Sequence, residues 1–287
     1  MDDFLFRGDL ADLDPDVAAL VDLEALRQAR RLILIPSESS VPASVRQAVG
    51  SVFHNIYAEG YPSPDWRALD QSEILAVDLR LAEYRRYSDA RYYKGTEFAD
   101  LIESLARRRA AELFANGSVR PEDLWVNVQP LSGAPANNAV YSALIQPGDT
   151  IMGMDLLHGG HLTHGSPVNR SGIMYRVVSY GVDPDTELLD YDRIHQLAQE
   201  HRPKIIVAGY TSYPLAPDWA AFRAIADEVG AVLLADISHV SGLVVAGVFP
   251  SPVGHAHVIS FTTHKTLAGP RGAVLMTTDP KLARKLD

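Results

Sequence analysis

The chain has 287 residues, 47% of them hydrophobic and 22% charged, with a formal net charge of −10 and no cysteine. This is the composition of a globular protein with ample core; its acidity disfavours a phosphate-backbone partner, so nucleic acid is not expected, and the lack of cysteine removes disulfides, thiolate metal sites and cysteine nucleophiles together. The start, "MDDFLFRGDLADLDPD", is acidic where a signal peptide is basic and then apolar, and no run approaches the roughly 18 apolar residues of a membrane span, so a cytoplasmic protein with no membrane partner is expected.

Apolar spacing over residues 17–31 is helical. "LILIPSE" reads as a short extended piece stopped by Pro36, and "VPASVRQAVGSVFHN" as another helix. "IYAEGYPSPDW", rich in Gly and Pro, reads as an exposed loop of the kind that often carries function, and "SEILAVDLRLAEYRRYSDA" as a charged helical segment. "TEFADLIESLARRRAAELFANG" is a strong helix with threonine before glutamate at its start and Asn-Gly at its end. From Leu124 the pattern alternates regularly. Strands "LWVNV", "TIMGM", "MYRVVSY", "KIIVAGY", "AVLLAD", "HVISF" and "AVLM" are interleaved with helices "APANNAVYSALI", "DYDRIHQLAQEH" and "DWAAFRAIADEVG". This alternation predicts a three-layer α/β fold, with a mainly parallel sheet covered on both faces. The final "DPKLARKLD" begins a helix and stops after barely two turns without a C-terminal cap, so the chain is expected to be a fragment.

Ligands of such sheets collect at the carboxyl ends of the strands, and three polar groups fall there: "QPLSGAP", "DISH" and "TTHK". Pyridoxal phosphate needs a lysine for a Schiff base, a carboxylate to keep its pyridine nitrogen protonated, and backbone donors for its phosphate. Lys265 supplies the first and Asp236 the second. Ser132 and Gly133, leading into a helix N-terminus, supply the third. Singly, each has an ordinary structural reading as surface charge, strand-end acid or helix cap; together they point to the cofactor. Three histidines in "HGGHLTHG", His158, His161 and His164, raise zinc. Two glycines inside the run and the lack of a thiolate or evident fourth ligand argue against it, and no metal is expected.

These stretches, together with "IPSES", "IYAEGYP", "RYYKGTEFAD", "NVQPLSGAPANNAVYSALIQPGD", "MGMDLLHGGHLTHGSPVN", "AGYTSYPLAPDW", "LLADISHVSGLVVAGVFPSPV" and "THKTLAGPRG", run in order across nearly the whole chain and resemble the serine hydroxymethyltransferases. The resemblance implies the fold type I (aspartate aminotransferase-like) large domain of pyridoxal-phosphate proteins. It implies transfer of a hydroxymethyl group between serine and tetrahydrofolate, giving glycine, with pyridoxal 5'-phosphate as cofactor, in a homodimer or dimer of dimers. Residue by residue, Lys265 would carry the Schiff base, Asp236 would meet the pyridinium nitrogen, His161 would stack on the ring and His239 would lie near its phenolic oxygen. Ser132 and Gly133 would cradle the phosphate, with Thr211 standing where the family commonly has serine. His264 occupies a position linked to reaction specificity, and Glu59 resembles the carboxylate that handles the hydroxymethyl proton. Tyr57, Tyr93 and Ser37 match active-site positions, Tyr57 reaching across a dimer interface. Leu156 and the Gly160–Leu162 backbone, His161 included, match the folate contact, and Tyr92 would stack on the pterin.

Two departures stand out. Residues 63–90 intervene where the family has only a few residues, beside the expected folate and dimer region. The family also continues into a small C-terminal domain carrying the arginine for the substrate carboxylate. The expected organisation is therefore an N-terminal arm with active-site loops and an inserted helical segment over residues 1–95, a cofactor-binding large domain over 96–287, and an absent small domain. The insertion keeps open a folate-independent aldolase acting on β-hydroxy amino acids, and the missing domain a truncated, non-catalytic cofactor-binding chain.

Overall fold

The computed structural model of the chain describes residues 8–87 and 91–287. Its contacts divide it into two units, residues 1–38 and 39–287. The first unit holds α1 (Leu10–Leu13) and α2 (Pro15–Arg30). Asp14 starts α2 by accepting the Val17 N–H at 3.1 Å, with Pro15 in the first turn where no donor is lost. No residue of α2 is buried, and Leu13, Leu20 and Leu23 are all more than 60% exposed. The expected extended piece "LILIPSE" forms no strand; the Glu38 N–H turns back to the Ile35 carbonyl at 2.9 Å instead.

In the second unit, α3 (Ala43–Val49) stops at Gly50, and a 3₁₀ turn at Val52–Asn55 follows, so the helix expected over this stretch is two short pieces. The segment 63–90 contains a 3₁₀ turn at Pro64–Ala68, α4 (Gln71–Ile74) and α5 (Val77–Tyr87), while residues 88–90 lie outside the described residues. A capping box between Asp70 and Glu73 starts α4, and turn bonds at Leu75–Val77 separate it from α5, so the single expected helix is split. Trp66 and Ile74 pack on Leu101 of α6 (Glu97–Phe114), a small apolar cluster distinct from the main core.

From there the chain runs β1 (Trp125–Asn127), α7 (Gly133–Leu144), β2 (Thr150–Met154), α8 (Arg170–Met174), β3 (Arg176–Tyr180), α9 (Tyr191–His201), β4 (Ile205–Ala208), α10 (Trp219–Val229), β5 (Val232–Asp236), α11 (Ser241–Val245), β6 (Val258–Thr262), β7 (Ala273–Thr277) and α12 (Pro280–Leu286). The seven described strands form one sheet of order β1-β7-β6-β5-β4-β2-β3. Neighbours from β6 to β3 are parallel, and β7 is antiparallel to both β1 and β6.

Alternate strand residues serve opposite faces, as the pleat requires. Ile205, Val207 and Leu234 pack with Val140 and Tyr141 of α7, while Ile206, Ala208 and Leu233 pack with Ile194 of α9 and Phe222 of α10. Both faces are therefore covered, which explains the unbroken apolar runs in these strands. Each such fully buried Ile or Leu contributes roughly 1.5–3 kcal/mol. Among the described residues no helix is long and apolar enough to cross a membrane.

Candidate active site

The parallel strands deliver their carboxyl ends to one edge of the sheet. Asp236 is the last residue of β5, and Lys265 lies three residues beyond β6. Both are buried, at 7% and 8% exposure. The Lys265 Nζ lies 3.1 Å from His239 Nε2. Burial pushes the lysine ammonium down, and the Asp236 charge opposes that only in part. With Nε2 accepting from Lys265, the ring proton of His239 sits on Nδ1, and burial, reinforced by the Lys265 charge, lowers this histidine to about 4.

The Asp236 carboxylate accepts four hydrogen bonds. Oδ1 takes the Ser238 N–H at 3.1 Å and the Ser238 hydroxyl at 2.6 Å, and Oδ2 takes Asn137 Nδ2 at 2.8 Å and His164 Nε2 at 3.1 Å. Burial alone would raise this acid; His164, Ser238 and Asn137 outweigh it and hold the carboxyl far below the ordinary carboxylate range. The group is therefore ionised, facing an amine that has been made easier to deprotonate.

The network continues outward. The Thr163 hydroxyl accepts from Asn137 Nδ2 at 2.9 Å and lies 2.8 Å from His161 Nδ1, which also takes the Thr163 N–H at 3.2 Å. His161 therefore carries its proton on Nε2. Burial, with the neighbouring His164, lowers it to about 4, so its ring is neutral at physiological pH. The Asn137 Oδ1 in turn accepts the Ser260 hydroxyl at 2.8 Å.

Gly133 opens α7 against β6: a Cβ there would stand 3.0 Å from Thr262 Cγ2 and 3.8 Å from Ser238 Oγ. Ser132 precedes it in extended conformation, and its hydroxyl does not cap the helix's own N–H groups. Gly209 ends the β4 crossing at φ +137°, and a Cβ there would fall 1.9 Å from the Asp236 carbonyl. Only glycine lets β4 and β5 close at this point. Two residues on, the Thr211 N–H reaches the Gly159 carbonyl at 2.7 Å, joining the β4 loop to the loop that carries Gly160 and His161. The side-chain atoms Thr211 Oγ1, His239 Nδ1, His164 Nδ1 and His264 Nδ1 are buried without a hydrogen-bond partner among the described residues.

A second cluster gathers four other expected residues. The rings of Tyr57 and Tyr93 are 5.9 Å apart, and the Tyr92 N–H donates to the Glu59 carbonyl at 3.0 Å. Tyr57 is 74% exposed and Tyr92 85%. The hydrogen bonds of this cluster run through Arg91 and Gln129 to α6 rather than to Lys265. Leu156 and Leu162 are exposed on two short 3₁₀ turns flanking the buried Gly160. Ser37 belongs to the other unit, in the turn after Ile35. A cavity of about 400 Å³, walled by Trp66, Trp125, Leu275, Leu286 and Arg107, lies elsewhere, and none of the expected site residues lines it.

The three histidines do not converge: His158 Nδ1 accepts the Val182 N–H at 3.0 Å while His164 is committed to Asp236, and no group of metal-ligating side chains forms among the described residues. The sequence reading overlooked Asn137 and the Asp236 contact of His164. Asn137 stands one turn beyond Gly133, on the helix face that meets the sheet edge, and that i, i+4 spacing is the signal that would have found it.

A mostly parallel seven-stranded sheet between helices, with a buried lysine and an ionised aspartate at adjoining strand ends, defines an α/β protein of the fold type I class of pyridoxal-phosphate proteins. The serine hydroxymethyltransferase family model matches residues 10–85 and 79–285, its two stretches overlapping within α5. The serine hydroxymethyltransferase of Prochlorococcus marinus (strain MIT 9303) is 51% identical over 278 residues, 97% of this chain and 58% of that protein. The one from Synechococcus sp. (strain JA-3-3Ab) is 51% identical over the same length, 97% of this chain and 56% of its own, and that of Deinococcus deserti is 48% identical over 277 residues, 96% and 60% respectively. The chain belongs to the serine hydroxymethyltransferase family, and it spans less than two thirds of the length of these relatives.

Proposed function

We propose that the protein uses pyridoxal 5'-phosphate to move a hydroxymethyl group reversibly between L-serine and tetrahydrofolate, giving glycine and 5,10-methylenetetrahydrofolate. The observation that carries this reading is the pairing of Lys265, buried and lowered in basicity on His239, with an ionised Asp236 one strand away. The cofactor, when bound, supplies an electron sink that makes the bonds at an amino acid's Cα labile.

The residues present fit that group. Among the described residues buried Thr211 Oγ1 and His239 Nδ1 lack partners, Gly133 keeps the approach to Ser238 open where a Cβ would fill it, and the Ser132 hydroxyl does not cap the N–H groups of the twelve-residue helix it precedes. Lys265 would supply the amine, Asp236 would hold a proton on the pyridine nitrogen, and neutral His161 would cover the ring face. His239 and Thr211 would meet the ring's oxygen side, and Ser132, Gly133 and the α7 N-terminus the phosphate. Glu59 would carry the proton of the substrate hydroxyl, with Tyr57 and Tyr93 closing around the amino acid and His264 beside Lys265 tuning which bond reacts. Leu156, Gly160, Leu162 and Tyr92 would receive the folate.

Among the described residues the hydrogen bonds around Glu59 lead to Arg91, Gln129 and α6, and Tyr57 is exposed; we therefore assign the working unit to a homodimer in which each chain completes its partner's site. The exposed leucines of α2 support burial against a second copy. The lack of cysteine favours the cytoplasm.

The test is the visible spectrum of the purified protein after incubation with pyridoxal phosphate. The reading expects a bound-cofactor band that Lys265→Ala lacks, and a spectral response to glycine that grows when tetrahydrofolate is added. An undiminished band in Lys265→Ala refutes the cofactor assignment; cleavage of β-hydroxy amino acids with no response to folate refutes the transfer.

A further inference from the structure

Arg91 lies at the far end of the 63–90 segment, only 4% exposed. Its guanidinium is spread over four acceptors. Nη1 donates to the Ala58 carbonyl at 2.5 Å and the Gly60 carbonyl at 3.0 Å, Nε meets Asp100 at 2.5 Å, and Nη2 meets Glu103 at 2.9 Å. Asp100 and Glu103 both belong to α6, and Arg107 on the same helix also reaches Glu103, at 2.9 Å. The two carbonyls are those on either side of Glu59.

Two further residues tie down the same short loop, and its glycine lets it close. The Tyr92 N–H holds the Glu59 carbonyl at 3.0 Å. Gln129 Nε2 donates to the Gly60 carbonyl at 2.8 Å and lies 3.1 Å from Glu103. Gly60 adopts φ +104°, and a Cβ on it would stand 2.9 Å from the Arg91 Cα. The two ends of the 63–90 segment are thereby brought back together at Gly60 and Arg91, while its body is fastened to α6 by Trp66 and Ile74 and to the turn before that helix by the Tyr84 hydroxyl, which accepts the Gly95 N–H at 2.9 Å. The Glu59 side chain itself remains exposed.

We propose that Arg91 is a positioning residue for Glu59: by clamping the carbonyls on both sides of it to the rigid α6, it fixes where the carboxylate projects and makes that placement independent of the long excursion between them. The proposal rests on the reading of Glu59 as the proton carrier. An arginine is required because five donors in a planar fork can serve two carbonyls and two carboxylates at once; a lysine keeps the charge but not the geometry. Displacing a reacting group by about 1 Å costs on the order of 100-fold in rate.

The test compares Arg91→Lys, Glu59→Gln and the double variant in the cofactor-loaded full-length protein. Arg91→Lys is expected to lower kcat for the serine-to-glycine conversion by about 10–100-fold with KM and cofactor content nearly unchanged. It should also speed amide hydrogen exchange across residues 56–62, and cause no further loss when added to Glu59→Gln. Gln129→Ala, which removes one of the same carbonyl contacts, should give the same signature more weakly, and it carries the comparison should Arg91→Lys fail to fold. Unchanged kcat and exchange in these variants, or a loss that multiplies in full with that of Glu59→Gln, overturns the positioning role. Wild-type turnover in Glu59→Gln overturns instead the role of Glu59 itself, and the proposal with it.

Discussion

Replacing Asp236 by asparagine keeps the shape of the side chain and removes its charge. In the structure every neighbour of that carboxylate is a donor: Ser238 N–H and hydroxyl on Oδ1, Asn137 Nδ2 and His164 Nε2 on Oδ2. An amide has one acceptor oxygen, so either orientation turns its NH₂ toward donors and leaves at least one buried pair unmade. An orphaned buried donor costs about 1–3 kcal/mol, and bonds to a charged group are worth about 1.5–3 kcal/mol. The cofactor-free protein should therefore lose about 2–4 kcal/mol, or roughly 3–7 °C in apparent Tm for a chain of this size. In the loaded protein the proposed role of Asp236 implies that the pyridine nitrogen would also lose its acidic partner, and a charge-assisted bond of that strength would correspond to a further 10–100-fold drop in turnover, roughly. Differential scanning calorimetry without cofactor and a serine cleavage assay with it read the two effects separately. An Asp236→Asn variant with wild-type Tm and wild-type turnover would refute the argument from this carboxylate.

Acid sensitivity follows from the histidines. His161 and His239 are lowered to about 4 from 6.5 chiefly by burial, so between those values the unfolded chain binds more protons than the folded one. Stability is full above about pH 6.5 and falls toward pH 4, by at most about 1.4 kcal/mol per pH unit for each group and less for the more exposed His239; a Tm that stays flat over this window contradicts it. Trp66→Ala removes the largest side chain fastening the 63–90 segment to α6, and should cost roughly 3 kcal/mol in urea unfolding while leaving the bound-cofactor band intact. Loss of that band would place the segment's role at the cofactor instead. Gly60→Ala forces a side chain into φ +104° against Arg91; it should lower turnover and leave cofactor content alone, and normal turnover would mean that the loop is not held as tightly as the contacts imply.

Much of the frame was legible in the sequence because its signals are local. Apolar runs such as "KIIVAG" and "AVLLAD" alternate with helical periods, and the sheet follows from that alternation, including the strand ends that carry Asp236 and Lys265. Where local signals competed, the expectation was too simple. Gly50 ends α3 early, and the Asp70–Glu73 capping box starts a separate short helix inside a stretch that reads as one. "LILIPSE" has strand composition but no strand pairing. The ties that organise the site were hidden for another reason. Arg91 acts on backbone carbonyls, which leave no trace in side-chain identity. The bond from His164 to Asp236 spans 72 positions, and it is made by a histidine whose spacing pointed to metal.

Serine labelled at its hydroxymethyl carbon, supplied to the cofactor-loaded protein with and without tetrahydrofolate, reads the proposed transfer by where the label goes. The label should pass into 5,10-methylenetetrahydrofolate as glycine accumulates, only when folate is added, and not at all in Lys265→Ala. Label released at the same rate without folate, or transfer that survives Lys265→Ala, would contradict the proposed function.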